Sequence, residues 1–144
     1  MATTLSSETL HATSVAINGR AVLIEGSSGA GKSDLALRLI DRGAALISDD
    51  YTLLQRQGAA LIATPPPSIA GKIEVRGLGI IDWPHVDKVP VALVVTLTED
   101  VERLPADPPQ RRVAGVSIPA VAIDSRAASA AIKVEIALRQ LVSP

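Results

Sequence analysis

The chain has 144 residues, with 14 basic and 15 acidic side chains and 47% hydrophobic residues, a length that fits one domain with a single core. The balanced charge gives no global field to attract nucleic acid or an anionic membrane, and the absence of cysteine excludes disulfide scaffolds and thiolate zinc sites. Because no apolar stretch approaches the roughly 20 residues of a membrane span and residues 1–8 lack a signal-peptide pattern, we expect a cytoplasmic protein.

Short apolar runs alternate with turn signals along the chain, which predicts an α/β fold: a mixed sheet with flanking helices. Residues 1–9 are small and polar and are expected to be flexible, and residues 10–144 are expected to form a single domain. In chain order, the predicted elements are strands at 11–17 and 20–25, a helix at 32–42, strands at 44–47, 51–56 and 60–64, a strand-like stretch at 71–81, strands at 89–97 and 116–123, and a helix at 125–142.

Local signals set several of these boundaries. Asn18-Gly19 predicts a hairpin turn, Gly43 lies where a left-handed helix cap is expected, and the three prolines at 65–67 end a strand. Residues 99–112, which contain three prolines, indicate a surface loop. In the last helix, we expect much of the apolar face to come from four side chains. These are Ile132, Ile136, Leu138 and Leu141.

Residues 26–33 read G-S-S-G-A-G-K-S and follow a predicted buried strand, which fits the phosphate-loop pattern G-x-x-x-x-G-K-[ST]. Backbone N–H groups in such a loop form an anion cradle at the start of a helix. Lys32 would reach the β- and γ-phosphates of a nucleoside triphosphate, and the Ser33 hydroxyl would bind Mg²⁺. The predicted triphosphate-binding residues are Gly26, Ser27, Ser28, Gly29, Ala30, Gly31, Lys32 and Ser33.

Asp49-Asp50 follows the predicted strand after that helix. If this strand neighbours the one before the phosphate loop, its carboxyl end lies beside the bound phosphates. One carboxylate there could hold Mg²⁺ and the other could accept a proton from an attacking hydroxyl, although an acidic turn after a strand is common in itself. Glu74 and Arg76 point to the same side of an extended segment and suit a metal–phosphate complex, while the nearby glycines also fit an ordinary bulge.

Four stretches resemble the catalytic domain of the HPr kinase/phosphorylase family. They are residues 10–13 (L-H-A-T), 26–33, Arg42-Gly43 with Leu46 and Asp49-Asp50, and 74–82 (E-V-R-G-L-G-I-I-D). The resemblance implies a core related to phosphoenolpyruvate carboxykinase, with ATP and Mg²⁺ bound. It implies a serine kinase acting on the phosphocarrier protein HPr, a reverse phosphorolysis that uses inorganic phosphate and yields pyrophosphate, and hexameric assembly.

The resemblance also implies roles for single residues. Asp49-Asp50 would supply the catalytic carboxylate, His11 would assist proton transfer, and Asp50 and Glu74 would join Ser33 at the metal. Arg76 and Arg126 would lie near the phosphates. Against the family pattern, we expect the chain to lack the usual N-terminal domain and to have a shortened loop at about 104–112. Ala127-Ala128-Ser129 stands where the family has glycine, arginine and asparagine.

Two rival functions stay open at this point. A small-molecule kinase of the phosphate-loop class usually carries an arginine-rich lid, of which Arg103, Arg111 and Arg112 would be a thin version. A nucleotide-sensing module would bind ATP without transfer, yet such a module is expected to lose its acidic residues, and this chain retains Asp49, Asp50 and Glu74. A GTPase is less favoured because the chain has no N-K-x-D sequence.

Overall fold

The computed structural model describes residues 6–103 and 109–141. Eleven strands and two α-helices lie within them. The strands are β1 Ser7–Leu10, β2 Ala12–Ile17, β3 Arg20–Glu25, β4 Ala45–Ser48, β5 Thr52–Gln57, β6 Ala60–Thr64, β7 Lys72–Val75, β8 Gly79–Asp82, β9 Val89–Leu97, β10 Gln110–Val113 and β11 Val116–Ile123. The helices are α1 Lys32–Asp41 and α2 Ala130–Gln140. Among the described residues, no helix is long and apolar enough to cross a membrane.

A curled mixed sheet organises these elements. Its strand order is β1-β5-β6-β9-β3-β2-β4, and β11 joins it through β9 and carries β10 on its other side. The strand β9 is central, as its hydrophobicity predicted, because it pairs with β3 and β11 in parallel and with β6 in the antiparallel direction. Since β2 runs antiparallel to both β3 and β4, the strands β3, β4, β9 and β11 all end at the same edge of the sheet. The loops that follow those four strands therefore meet there.

Two apolar clusters cover the two faces of this sheet. Side chains alternate between the faces of a strand, so Val22 and Ile24 of β3 pack with α1 and α2, whereas Ala21 and Leu23 pack with β1, β5 and β6. The β10–β11 hairpin closes the second cluster through its buried Val113. The face opposite the helices is thus covered by strands of the same curled sheet.

Short-range signals were reliable for turns. The β2–β3 hairpin turns at Asn18-Gly19, where both residues have positive φ (51° and 77°), as a type I′ turn requires. Gly43 has φ 109° directly after α1, and its N–H donates to the carbonyl of Ile40. These two predictions are confirmed.

Three predicted boundaries are wrong. Residues 7–9 do not belong to a flexible terminus, since β1 pairs with β5 along its whole length. Within the predicted loop 99–112, residues 110–112 belong to β10, which pairs with β11; Leu104 and residues 105–108 lie outside the described residues. The last helix begins at Ala130 instead of 125, because residues 125–129 form turns, and its predicted end at Val142 lies outside the described residues.

The face that α2 buries also differs from the expectation. Ile132, Ile136 and Leu141 are exposed, and of the four predicted side chains only Leu138 is buried. The helix contacts the core through small or slender side chains at four-residue spacing. These are Ala130, Val134 and Leu138, with Ala131 beside them. Seven of the 11 residues of this helix are alanine, valine, isoleucine or leucine and lie on several of its sides, so its sequence does not decide which side is buried.

Candidate functional site

The glycine-rich loop (residues 26–33) connects β3 to α1, as the sequence predicted. Gly29 and Gly31 have φ of 81° and 98°, which L side chains rarely adopt. Gly26 serves a different need, since a Cβ placed there would lie 3.1 Å from the Cβ atoms of Ala30 and Leu97. The loop is therefore left-handed in places and tightly enclosed, and its last two residues, Lys32 and Ser33, form the start of α1.

Lys32 folds back over this loop. Its Nζ donates to the carbonyl oxygens of Gly26 and Ser27, at 2.9 and 3.2 Å, and the residue is buried. Those carbonyls hold the ammonium group beside the first two residues of the loop. An anion bound on the loop amides would meet this positive charge.

A buried hydrogen-bond network surrounds Asp49, which is only 7% exposed. Its Oδ1 accepts from the Ser33 hydroxyl at 2.6 Å and from the Thr13 hydroxyl at 3.0 Å. Its Oδ2 accepts from the backbone N–H of Glu74 at 2.8 Å. Asp49 thus joins the start of α1, the strand β2 and the β7–β8 hairpin, and its carboxylate lies directly against the last residue of the glycine-rich loop.

Asp50 has a different environment although it is the next residue. Its side chain is 59% exposed, and its Oδ1 lies 2.8 Å from Nε2 of His11. The Tyr51 ring stacks on the His11 imidazole with centroids 4.9 Å apart. Asp50 has φ 70°, and its backbone N–H donates to the Thr13 hydroxyl. Aspartate is one of the few residues other than glycine that adopts a left-handed conformation readily, and the contacts with Thr13 and His11 hold Asp50 in this orientation.

The two aspartates lie near the loop, but the strand that precedes them is not the direct neighbour of β3 that the sequence suggested. The strand β4 does not pair with β3, because β2 lies between them. The carboxyl ends of β3 and β4 still share one edge, and Ser33 bridges the remaining gap from the first turn of α1. The expected proximity therefore holds without the expected strand pairing.

Glu74 and Arg76 lie on the β7–β8 hairpin and are exposed. The backbone of Glu74 contacts Asp49, whereas Arg76 lies in the turn between the strands. In residues 6–103 and 109–141, no three His, Asp or Glu side chains gather as a metal site. The Ser33 hydroxyl donates to Asp49, and the metal roles expected for Asp50 and Glu74 stay predictions.

The oxygen atoms beside the loop suit Mg²⁺. This ion prefers one or two protein oxygen ligands together with substrate phosphates and waters. Ser33 Oγ and Asp49 Oδ1 are 2.6 Å apart, so one ion could contact both. The donor set is small and made only of hard oxygens, which fits magnesium better than a softer metal.

Arg126 lies near the loop, but acidic neighbours occupy its guanidinium. It pairs with Asp124 at 3.0 Å and with Glu99 at 2.9 Å. The hydrogen bonds from Arg126 lower the pKa of Asp124 to about 2, and Asp124 in turn raises the pKa of Arg126. The residue that contacts the loop is the preceding one, because the Ser125 hydroxyl donates to the Ala30 carbonyl at 2.6 Å.

Sequence reasoning missed three parts of this site. Thr13 was noted within the L-H-A-T stretch without a role, although a threonine two residues after His11 points to the same side of an extended segment, which was a usable signal. Ser125 gave no signal. The ion pair between Glu25, at the end of β3, and Arg111, on β10, joins residues 86 positions apart and has no local signature.

Comparison with known proteins decides the family. The family model described as "HPr Serine kinase C-terminal domain" matches residues 3–143. The chain belongs to this family. Its membership agrees with the resemblance carried by residues 26–33, Asp49-Asp50 and 74–82.

Curated relatives agree with this assignment. A protein named HPr kinase/phosphorylase from Prosthecochloris aestuarii is 36% identical, with 77% of this chain and 36% of that protein covered. One of the same name from Cupriavidus necator is 37% identical, with 93% of this chain and 46% of that protein covered. The chain therefore spans less than half the length of these relatives.

A solved structure shows the same fold. The Hpr(Ser) kinase/phosphatase from Coxiella burnetii matches with a TM-score of 0.81 and 29% identity, covering 92% of this chain and 89% of that one. The mixed α/β architecture with its curled sheet is thus a fold of the HPr serine kinase family.

Proposed function

We propose that this member of the family is an ATP-dependent serine kinase of an HPr-type phosphocarrier protein, and that it also removes the phosphate by phosphorolysis. One observation carries the proposal: the exposed Asp50–His11 pair lies beside the buried Ser33–Asp49 contact, at the end of a loop with a phosphate-binding sequence. A donor site and a proton acceptor are therefore neighbours. The names of the relatives support HPr as the acceptor.

The triphosphate would bind on the glycine-rich loop, in a core related to that of phosphoenolpyruvate carboxykinase. Backbone N–H groups of the loop and the positive end of α1 would hold the phosphates. Lys32 would exchange its two loop carbonyls for phosphate oxygens. These groups are pre-positioned, so they would stabilise the charge that spreads over the transferred phosphoryl group.

Ser33 and Asp49 are the residues that would hold Mg²⁺, which when bound neutralises phosphate charge and orients the phosphoryl group. We place Asp49 there because it is the carboxylate that contacts Ser33. The role of the Glu74 carboxylate at the metal stays a prediction, and Asp50 is better placed for proton transfer.

Asp50 would act as the general base. Its exposed carboxylate can reach a serine hydroxyl of a docked protein, and His11 orients it from the other side. In the forward direction the serine oxygen attacks the γ-phosphorus, ADP leaves, and the serine proton passes to Asp50. In reverse, an oxygen of inorganic phosphate attacks the phosphoserine phosphorus, pyrophosphate forms, and Asp50 returns a proton to the departing serine oxygen.

Mass spectrometry of HPr tests this proposal directly. HPr is incubated with the protein, Mg²⁺ and ATP, and then with excess inorganic phosphate. We expect one serine phosphate to appear and then to disappear with formation of pyrophosphate. If HPr stays unmodified while a small metabolite is phosphorylated, the small-molecule kinase is correct; ATP binding without any transfer would favour the sensing module.

Substitution of Asp50 by asparagine tests the assignment of the base. We expect Asp50→Asn to lower kcat in both directions by about 10²- to 10⁴-fold, the usual contribution of general base catalysis. The fold should be retained, because asparagine tolerates a left-handed conformation. The matched control is Asp41→Asn, because Asp41 is an exposed aspartate at the end of α1 that lies away from the glycine-rich loop. Full activity of Asp50→Asn in both directions would contradict the assignment.

Location and assembly follow from the family only. We propose a cytoplasmic location, since HPr-type carriers would be met there, and a homo-oligomer, for which the family resemblance implies a hexamer. Light scattering of the purified chain measures the assembly directly.

A further inference from the structure

An ion pair lies immediately before the glycine-rich loop and has no role in the chemistry above. Glu25 is the last residue of β3, and the next residue is Gly26. Arg111 of β10 approaches it with a two-pronged contact: Nε donates to Oε2 at 3.1 Å and Nη2 donates to Oε1 at 3.0 Å. Nη1 donates to the carbonyl of Arg112 at 2.8 Å. Such paired hydrogen bonds fix both position and direction of the guanidinium.

The position of Glu25 in β3 explains why Arg111 can reach it. Side chains alternate along a strand, so Glu25 lies on the same face as Leu23, away from the helices and towards the β10–β11 hairpin. The carboxylate side chain is only 19% exposed. The contact with Glu25 also raises the pKa of Arg111, so the arginine keeps its charge under all ordinary conditions.

The charge of Glu25 is unfavourable for the proposed ligand. A triphosphate carries several negative charges, and a partly buried carboxylate next to the loop would repel them more strongly than a solvated one. Arg126, another cation near the loop, is already engaged by Asp124 and Glu99. Arg111 is the cation that contacts Glu25.

We propose that Arg111 is a positioning residue for triphosphate binding, which holds and neutralises Glu25 at the entrance of the glycine-rich loop. The inference rests on the proposed nucleotide binding but not on the identity of the acceptor. It predicts an order of affinities that follows the net charge of the pair: neutral in the native protein, −1 in Arg111→Met, +1 in Glu25→Gln, and neutral again when both are changed.

Isothermal titration calorimetry with ATP and Mg²⁺ at low salt tests this order. We expect Arg111→Met to raise the Kd about tenfold, Glu25→Gln to leave it unchanged or lower it, and the double variant to return to within about twofold of the native value. Salt should shrink the effect of Arg111→Met, because ions screen the charge of the solvent-accessible triphosphate that Glu25 repels. If the ion pair only held the hairpin in place, the double variant would bind ATP as weakly as Arg111→Met does. That result would overturn the proposal.

Two controls keep the outcome clear. Arg56→Met removes an arginine from the β5 strand, whose guanidinium contacts only the nearby Gly58 carbonyl among the described residues, and should not change the Kd. Arg111→Lys keeps the charge and should bind ATP within about threefold of the native protein even if the hairpin is less stable. If the native protein binds no ATP, the proposed function fails; native binding with an unchanged Kd in folded Arg111→Met overturns only the role of Arg111.

Discussion

Two charged clusters flank the glycine-rich loop, and they differ in burial. Around Asp49, the hydroxyls of Thr13 and Ser33 and a backbone N–H fill both carboxylate oxygens in a buried setting. Around Arg126, the partner Asp124 and the guanidinium are accessible to solvent. Buried polar groups are costly to leave unpaired, whereas exposed ion pairs contribute little. We therefore expect the cluster around Asp49 to control both activity and stability. The pair of Arg126 and Asp124 should make only a small contribution to stability, and this contribution should depend on pH.

The largest effect should follow from Asp49→Asn. The side-chain amide of asparagine places an NH₂ group, which can only donate, where one carboxylate oxygen of Asp49 now accepts. We expect a loss of about 1–3 kcal/mol in the free energy of unfolding. Loss of the charge beside Ser33 should lower kcat at least about 100-fold, the scale of a metal contribution. Urea unfolding and phosphoserine formation measure the two effects. Native-like stability and turnover would show that the buried network is dispensable.

A smaller effect is expected for Thr13→Val, which removes a donor to Asp49 and the acceptor of the Asp50 N–H. We expect a loss of about 1–2 kcal/mol in the free energy of unfolding and a fall in kcat of about tenfold, as for other residues that support a ligand. Thr13→Ser keeps the hydroxyl and is the matched control. If the serine variant were as impaired as the valine variant, the hydroxyl would not be the cause.

The smallest effect is expected for Arg126→Met, and it should depend on pH. The pKa of Asp124 is about 2 in the folded protein against an ordinary value of 3.8. Because this pKa is lowered on folding, the pair contributes stability above about pH 4, and the contribution is lost as the pH falls towards 2. The difference in Tm between native and variant protein should therefore narrow over that range. A constant difference from pH 5 to pH 2 would contradict this account.

Much of the fold was predictable because its signals are local. The Asn18-Gly19 turn, the Gly43 cap and the continuous apolar run of β9 each depend on a few neighbouring residues. The last helix was also predicted, but its buried face was not, since its sequence offers several apolar faces and only contact with α1, β9 and β11 selects the one with Val134 and Leu138. The strand β10 was likewise predicted as loop, because its short polar sequence has no strand signal of its own. It is a strand because it pairs with β11.

The sequence by itself determined that a phosphate-binding loop joins a buried strand to a helix and that two aspartates end a nearby strand, because these patterns require particular residues at fixed spacing. Only the tertiary structure distinguished the two aspartates. It buried Asp49 against Ser33 and left Asp50 exposed beside His11. It also paired Arg126 with Glu99 and brought Arg111 to Glu25. These contacts join residues far apart in the chain, and their geometry depends on how the curled sheet brings separate strand ends together.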